Sequence, residues 1–156
     1  MESETSFPYS IAIHDQQAKH YKWREPYLPQ LFKDVCARLG VSQRSHLADM
    51  ACGTGEVARE LAKYAGRVSA IDGAPEMIAN AVPHERVAYR VMDLGTSVPS
   101  DIGLVDHLFF GRSIHWFSAE SLRTLTGGIL RDEGSVIACA TSWVPVGSWG
   151  QKYDEI

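Results

Sequence analysis

Asp49-Met-Ala51-Cys52-Gly53-Thr-Gly55 places a carboxylate at the end of an apolar run and follows it with a turn of small residues. Residues 56–65 then carry Val57, Leu61 and the alanines Ala58, Ala62 and Ala65 on one helical face. Strand, small-residue turn and helix in that order make a cradle for a nucleotide-type cofactor, because glycine admits the turn's dihedrals and lets a ligand approach the backbone. The start of the helix offers N–H groups to a carboxylate or phosphate. Two cofactor classes use such a turn. Gly53-Thr-Gly55-Glu-Val-Ala58 satisfies the dinucleotide pattern G-x-G-x-x-G/A, and Asp72 lies at about the spacing of a ribose-binding acid. The dinucleotide turn has no use for a carboxylate near the end of its first strand, whereas S-adenosylmethionine carries a charged amino group that needs one. Asp49 is placed to meet it.

The same segment resembles motif I of the class I S-adenosylmethionine-dependent methyltransferases, D/E-x-G-x-G-x-G, with Ala51 replacing the first glycine at a position that mainly needs a small residue. Val68-Ser-Ala-Ile-Asp72-Gly73-Ala-Pro75-Glu-Met77 resembles the family's second strand, its ribose-binding acid and a helix beginning near Pro75, where proline suits the first turn. Val91-Met92-Asp93-Leu94 resembles the turn after the third strand. Val105 to Phe117, ending in His115-Trp116-Phe117, resembles the fourth strand and the signature of the type 11-like, trans-aconitate methyltransferase-like subgroup. Leu130 to Thr141 is similar to the acidic or glycine turn and fifth strand. At the front, Tyr21-Lys-Trp-Arg24-Glu-Pro26-Tyr27-Leu-Pro29 resembles the family's lead-in helix.

This resemblance, which spans nearly the whole chain in order, implies transfer of a methyl group from S-adenosyl-L-methionine to a small-molecule acceptor. It assigns Asp49 to the methionine amino end, Gly53 and Gly55 to backbone approach, Asp72 to the ribose hydroxyls, and Asp93 with Met92 and Leu94 to adenine. Ala51, Gly73 and Met77 complete the cofactor set from the same motifs, and Tyr21 closes over it from the lead-in helix or packs in the core. On the acceptor side, His115 is placed to accept a proton and Arg112 to hold a carboxylate by paired hydrogen bonds. A structural histidine beside Trp116 and Phe117 is the competing reading of His115. No metal is required.

These residues need an α/β scaffold of the Rossmann-like, doubly wound and mainly parallel kind. Strands are expected at residues 45–51, 67–71, 86–91, 104–110 and 135–143, and a helix at 118–130 with Gly127-Gly128 weakening its interior. Leu28, Leu31, Phe32, Val35, Cys36 and Leu39 recur at helical spacing, so a helix is expected over residues 26–39, ending at Gly40. Alternating strands and helices imply right-handed crossovers, with the ligand beyond the strands' carboxyl ends, where every motif loop falls. The expected organisation is a helical lead-in over residues 1–40 and a methyltransferase domain over 41–156.

Composition fits one small globular domain: 156 residues, 45% hydrophobic, 22% charged. A net charge of −4 with scattered Lys and Arg gives no grip on nucleic acid phosphates. The polar, acidic start is unlike a secretory signal, and no apolar run approaches the ~20 residues of a membrane helix. A cytoplasmic setting without membrane contact follows. Cys36, Cys52 and Cys139 are three and far apart, which argues against a disulfide framework or a zinc set. Cys52 reads as a small residue in the cofactor turn.

After its fifth strand the family adds a helix and two antiparallel edge strands, whereas this chain ends at Ile156. The fifth strand is then an exposed apolar edge. A truncated product, completion by self-association and a minimal cofactor-binding domain are the three explanations. They keep open a non-catalytic S-adenosylmethionine-binding or regulatory domain, or an inactive remnant. A dehydrogenase is a further reading, which Asp49 and Met92-Asp93-Leu94 oppose.

Overall fold

The computed structural model describes residues 25–140. Tyr21, Trp143 and the tail from Gly147 lie outside them. Five strands, β1 His46–Met50, β2 Arg67–Asp72, β3 Val87–Val91, β4 Val105–Gly111 and β5 Leu130–Cys139, form one parallel sheet in the order β3-β2-β1-β4-β5. Consecutive strands lie on either side of β1, so the chain reverses direction across the sheet at the β1/β4 boundary. Ligands of open α/β sheets bind beyond the strand ends at such a switch point. The architecture is the expected Rossmann-like one.

The central strand β1 is buried throughout, as a parallel strand covered on both faces must be. Its alternate residues feed two cores. Leu47 joins Val68, Ala70 and Phe109 beneath Phe32 and Cys36 of helix α1 (Pro29–Arg38) and Val57, Ala58 and Leu61 of α2 (Glu56–Leu61). Ala48 and Met50 join Ile71, Leu108 and Phe110 on the other face, with Leu125 and Ile129 of α4 (Ala119–Ile129). Helix α3 (Pro75–Ala79) follows β2 and buries Met77. Because α1 shares its core with the sheet, packing continues across the expected boundary at residue 40.

Three boundaries differ from the sequence reading. Helix α1 begins at Pro29 rather than residue 26, because a residue preceding proline is forced out of the helical region and Leu28 is extended, at ψ 121°. Leu28 is consequently 78% exposed instead of sitting on the apolar face. Helix α2 stops at Leu61, four residues short of the expected Ala65, although Ala65 N–H still reaches the Leu61 carbonyl in a closing turn.

Strand β5 begins at Leu130, five residues before the expected start. Leu130 pairs with Val105 and Ser135 with His107, so three extra residues bulge out between those pairs. Gly134 permits this, since a Cβ there would lie 2.7 Å from the Asp106 carbonyl oxygen.

Candidate cofactor site

The chain leaves β1 through Ala51, whose φ of +54° lies in the left-handed region. Glycine suits this position for more than its size, since a Cβ in that conformation costs ~1–2 kcal/mol. Gly53 and Gly55 also have positive φ, at 55° and 79°. At Gly55 a Cβ would come within 2.4 Å of the Tyr89 ring, which packs against the turn from β3.

Two carboxylates fasten this turn. Asp72, at the end of β2, accepts the Gly53 N–H on Oδ2 at 2.7 Å and the Ala74 N–H on Oδ1 at 2.9 Å, joining the first two motif loops. Asp49 accepts the Ala58 N–H on Oδ2 at 2.9 Å. Its Oδ1 is buried and has no hydrogen-bond partner among the described residues. Asp49 is 0% exposed, and burial pushes its carboxyl up to about 8. The Ala58 N–H and Arg59 oppose that rise, while the charges of Asp72 and Glu56 add to it. The Arg59 guanidinium meanwhile donates to the Thr54 carbonyl at 2.6 Å.

A cleft beside the turn brings Ala51, Gly73 and Leu94 together with Gly95, Trp116, Phe117 and Ser121. Three of the residues expected to hold the cofactor thus converge from three separate loops. Asp93 borders this region as a turn former, its Oδ1 accepting the Gly95 N–H at 2.9 Å. Met92 is half-buried against the second core, and Met77 is fully buried on α3. Neither lines the cleft. Sequence reasoning missed Gly95 and Ser121, which carry no motif. Trp116 and Phe117 belong to a recognised signature, but the sequence reading gives them no part in the site.

His115 and Arg112 part company. His115 is exposed on a single turn of 3-10 helix, Ile114–Trp116, with its ring 4.6 Å from that of Trp116. Arg112 has a side chain only 11% exposed, and its guanidinium already holds a carboxylate, that of Glu56, at 3.0 Å. Cys52 is buried and its thiol is raised well above the usual range, first by desolvation, which keeps it from the thiolate form a nucleophile needs. Among the described residues no group of three or more His, Cys, Asp or Glu side chains is arranged to hold a metal ion. Nor is any helix among them long and apolar enough to cross a membrane.

Residues 47–131, more than half of the chain, match the methyltransferase domain family. An uncharacterized methyltransferase of Schizosaccharomyces pombe is 32% identical over 104 residues, which are 64% of this chain and 39% of that one. The chain therefore spans about two fifths of that relative's length. Among solved structures, the DhpI-SAM-HEP complex superposes with a TM-score of 0.65 at 22% identity, over 99% of this chain and 73% of that one. An S-adenosylmethionine-dependent methyltransferase from Thiobacillus denitrificans in complex with S-adenosyl-L-homocysteine gives 0.63 at 16% identity, over 97% of this chain and 63% of that one. Fold, motif order and the match across β1 to β4 agree, and the chain belongs to the methyltransferase domain family.

Proposed function

We propose that this chain binds S-adenosylmethionine and transfers its methyl group to a small-molecule acceptor. The observation that carries this reading is the unanswered Oδ1 of Asp49, buried beside a turn held open by Gly53 and Gly55. A buried carboxylate oxygen without a partner is costly unless a ligand supplies one, and the cofactor's ammonium group is such a partner. The residues present fit the cofactor in other respects too. Asp72 carries acceptors at the end of β2 and Asp93 two residues past the end of β3, and Leu94 and Gly73 line an apolar cleft suited to a purine.

When bound, S-adenosylmethionine supplies an electrophilic methyl group on a sulfonium centre. The chain's own residues have to orient the acceptor and exclude water. Trp116 and Phe117 wall the cleft, and exposed His115 is the group available to take a proton from an acceptor. The His115-Trp116-Phe117 run supports the trans-aconitate methyltransferase-like subgroup. In this reading residues 1–40 are the lead-in, residues 41–156 the cofactor-binding domain, Tyr21 closes over the cofactor, and the setting is cytoplasmic.

Calorimetric titration with S-adenosylmethionine, S-adenosylhomocysteine and NAD tests the assignment. Both sulfur compounds should bind, and Asp49→Asn should weaken them ~10-fold or more by removing a charge-assisted contact. Micromolar binding of NAD, with neither sulfur compound bound at millimolar concentration, would overturn it.

A further inference from the structure

Arg112 stands at the junction of four segments. Its backbone N–H donates to the Cys139 carbonyl at 2.7 Å, tying it to the end of β5. Its guanidinium lies 4.3 Å from the centre of the Tyr27 ring, donates through Nη1 to the Glu25 carbonyl at 2.9 Å, and donates through Nη2 to Glu56 Oε2 at 3.0 Å. The other oxygen of Glu56 accepts the Tyr27 N–H at 2.8 Å, and the Tyr27 hydroxyl reaches the same Cys139 carbonyl at 3.3 Å. The circle is closed. Glu56 is the residue immediately after Gly55, so this ring of contacts grips the exit of the cofactor turn.

We propose that Arg112 is a positioning residue that latches the segment at Glu25–Tyr27 onto Glu56 and so holds the cofactor turn in its binding conformation. The inference rests on the reading of that turn as the cofactor site. Arg112 adopts φ +54°, a conformation unfavourable for a residue with a Cβ, which the latch contacts offset. An arginine suits the place because it stacks on a ring and forks to oxygens at the same time, which lysine does not. The carboxylate that Arg112 was expected to take from an acceptor is thus supplied from within the chain. Without the latch the exit of the turn at Glu56 loses one of its restraints, although Asp49 and Asp72 still fasten the turn, and the cofactor must order more of it as it binds.

The test is titration of S-adenosylhomocysteine into the wild type, Arg112→Gly, Arg112→Lys, Glu56→Gln and the Arg112→Gly/Glu56→Gln pair, with thermal melts of each. Glycine accepts the left-handed backbone, so Arg112→Gly should remain folded while its Kd rises ~10-fold. Arg112→Lys should recover only part of that loss, and Arg112→Gly in the Glu56→Gln background should change Kd less than ~2-fold, because the two residues act as one unit. Amide hydrogen exchange at Tyr27 in the ligand-free protein should quicken in Arg112→Gly. That readout does not depend on the cofactor. Unchanged affinity in Arg112→Gly, an equal loss in both backgrounds, or unchanged Tyr27 exchange would each overturn the latch. A wild type that fails to bind S-adenosylhomocysteine would instead overturn the reading of the site.

Discussion

Asp49→Asn should make the ligand-free protein more stable while weakening its grip on the cofactor. The side chain keeps its shape, and its oxygen still accepts the Ala58 N–H, but it can no longer carry a charge into a site that is 0% exposed. Asp49 has its carboxyl raised from 3.8 to about 8 in the folded chain. Between those values the native state holds a proton that the unfolded chain releases, so stability falls as pH rises through the window and levels off above it. At pH 7 the separation is about three units at ~1.4 kcal/mol each, on the order of 4 kcal/mol. That is a large fraction of the ~5–15 kcal/mol that keeps a domain folded, and corresponds to roughly 10 °C in Tm. Urea denaturation of both proteins from pH 4 to pH 9 measures it. The variant should match the wild type near pH 4 and exceed it increasingly toward pH 8. A variant equal to or less stable than the wild type at pH 8 would mean that Asp49 is ionised and partnered in the native state, and the argument for an unanswered oxygen would fail.

Most of the sheet and the cofactor turn are legible in the sequence because each rests on a local pattern. Strand β1 carries apolar Leu47, Ala48 and Met50 across both faces and has Asp49 one residue before its end and the glycine-rich turn, while Asp72 ends β2 and Asp93 lies two residues past β3. What the sequence hides is pairing over distance. The start of α1 is the exception: it was readable from Pro29 alone, but the apolar spacing of Leu28 masked it. The bulge in β5 depends on where β4 lies, since nothing in Arg131-Asp-Glu-Gly134 fixes its register. Arg112 and Glu56 are 56 positions apart, so arginine beside the fourth strand looks free for an acceptor until the fold brings its own carboxylate to it. Met77 illustrates the opposite limit, where a motif position is filled by a core side chain. Motif spacing therefore locates the cofactor turn, while the residues that rigidify it from other strands, Tyr89 and Arg112, emerge only from packing.

Gly55→Ala should abolish S-adenosylhomocysteine binding in calorimetry, since the backbone at φ +79° disfavours a Cβ and the Tyr89 ring occupies its place; unchanged affinity would show that the turn has slack. Ala51→Gly should raise stability by ~1 kcal/mol in urea by relieving the left-handed backbone, and a loss of stability would remove that account. Ser118→Ala should cost ~1 kcal/mol, because Ser118 Oγ accepts the Ser121 N–H at 3.0 Å and caps α4. His46, at the opposite end of the sheet, predicts a loss of stability in acid. Its Nδ1 lies 2.7 Å from Arg67 Nη2, which can only donate, and 3.3 Å from the Leu104 carbonyl, which can only accept, while its Nε2 lies 2.9 Å from Ser69 Oγ; the shorter Arg67 contact favours the neutral ring with its proton on Nε2. Burial, then the Arg67 charge, lowers its pKa from 6.5. The unfolded chain therefore takes up the proton first, and stability falls as pH drops below about 6.5. Because Asp49 slopes the opposite way over the same range and His107 the same way, the measurement is the difference between the wild type and His46→Gln in urea midpoints at pH 7.5 and 5.5. The wild type should lose more ground than the variant on acidification. Equal losses would show that His46 titrates alike in both states and that the Arg67 contact does not hold the ring neutral.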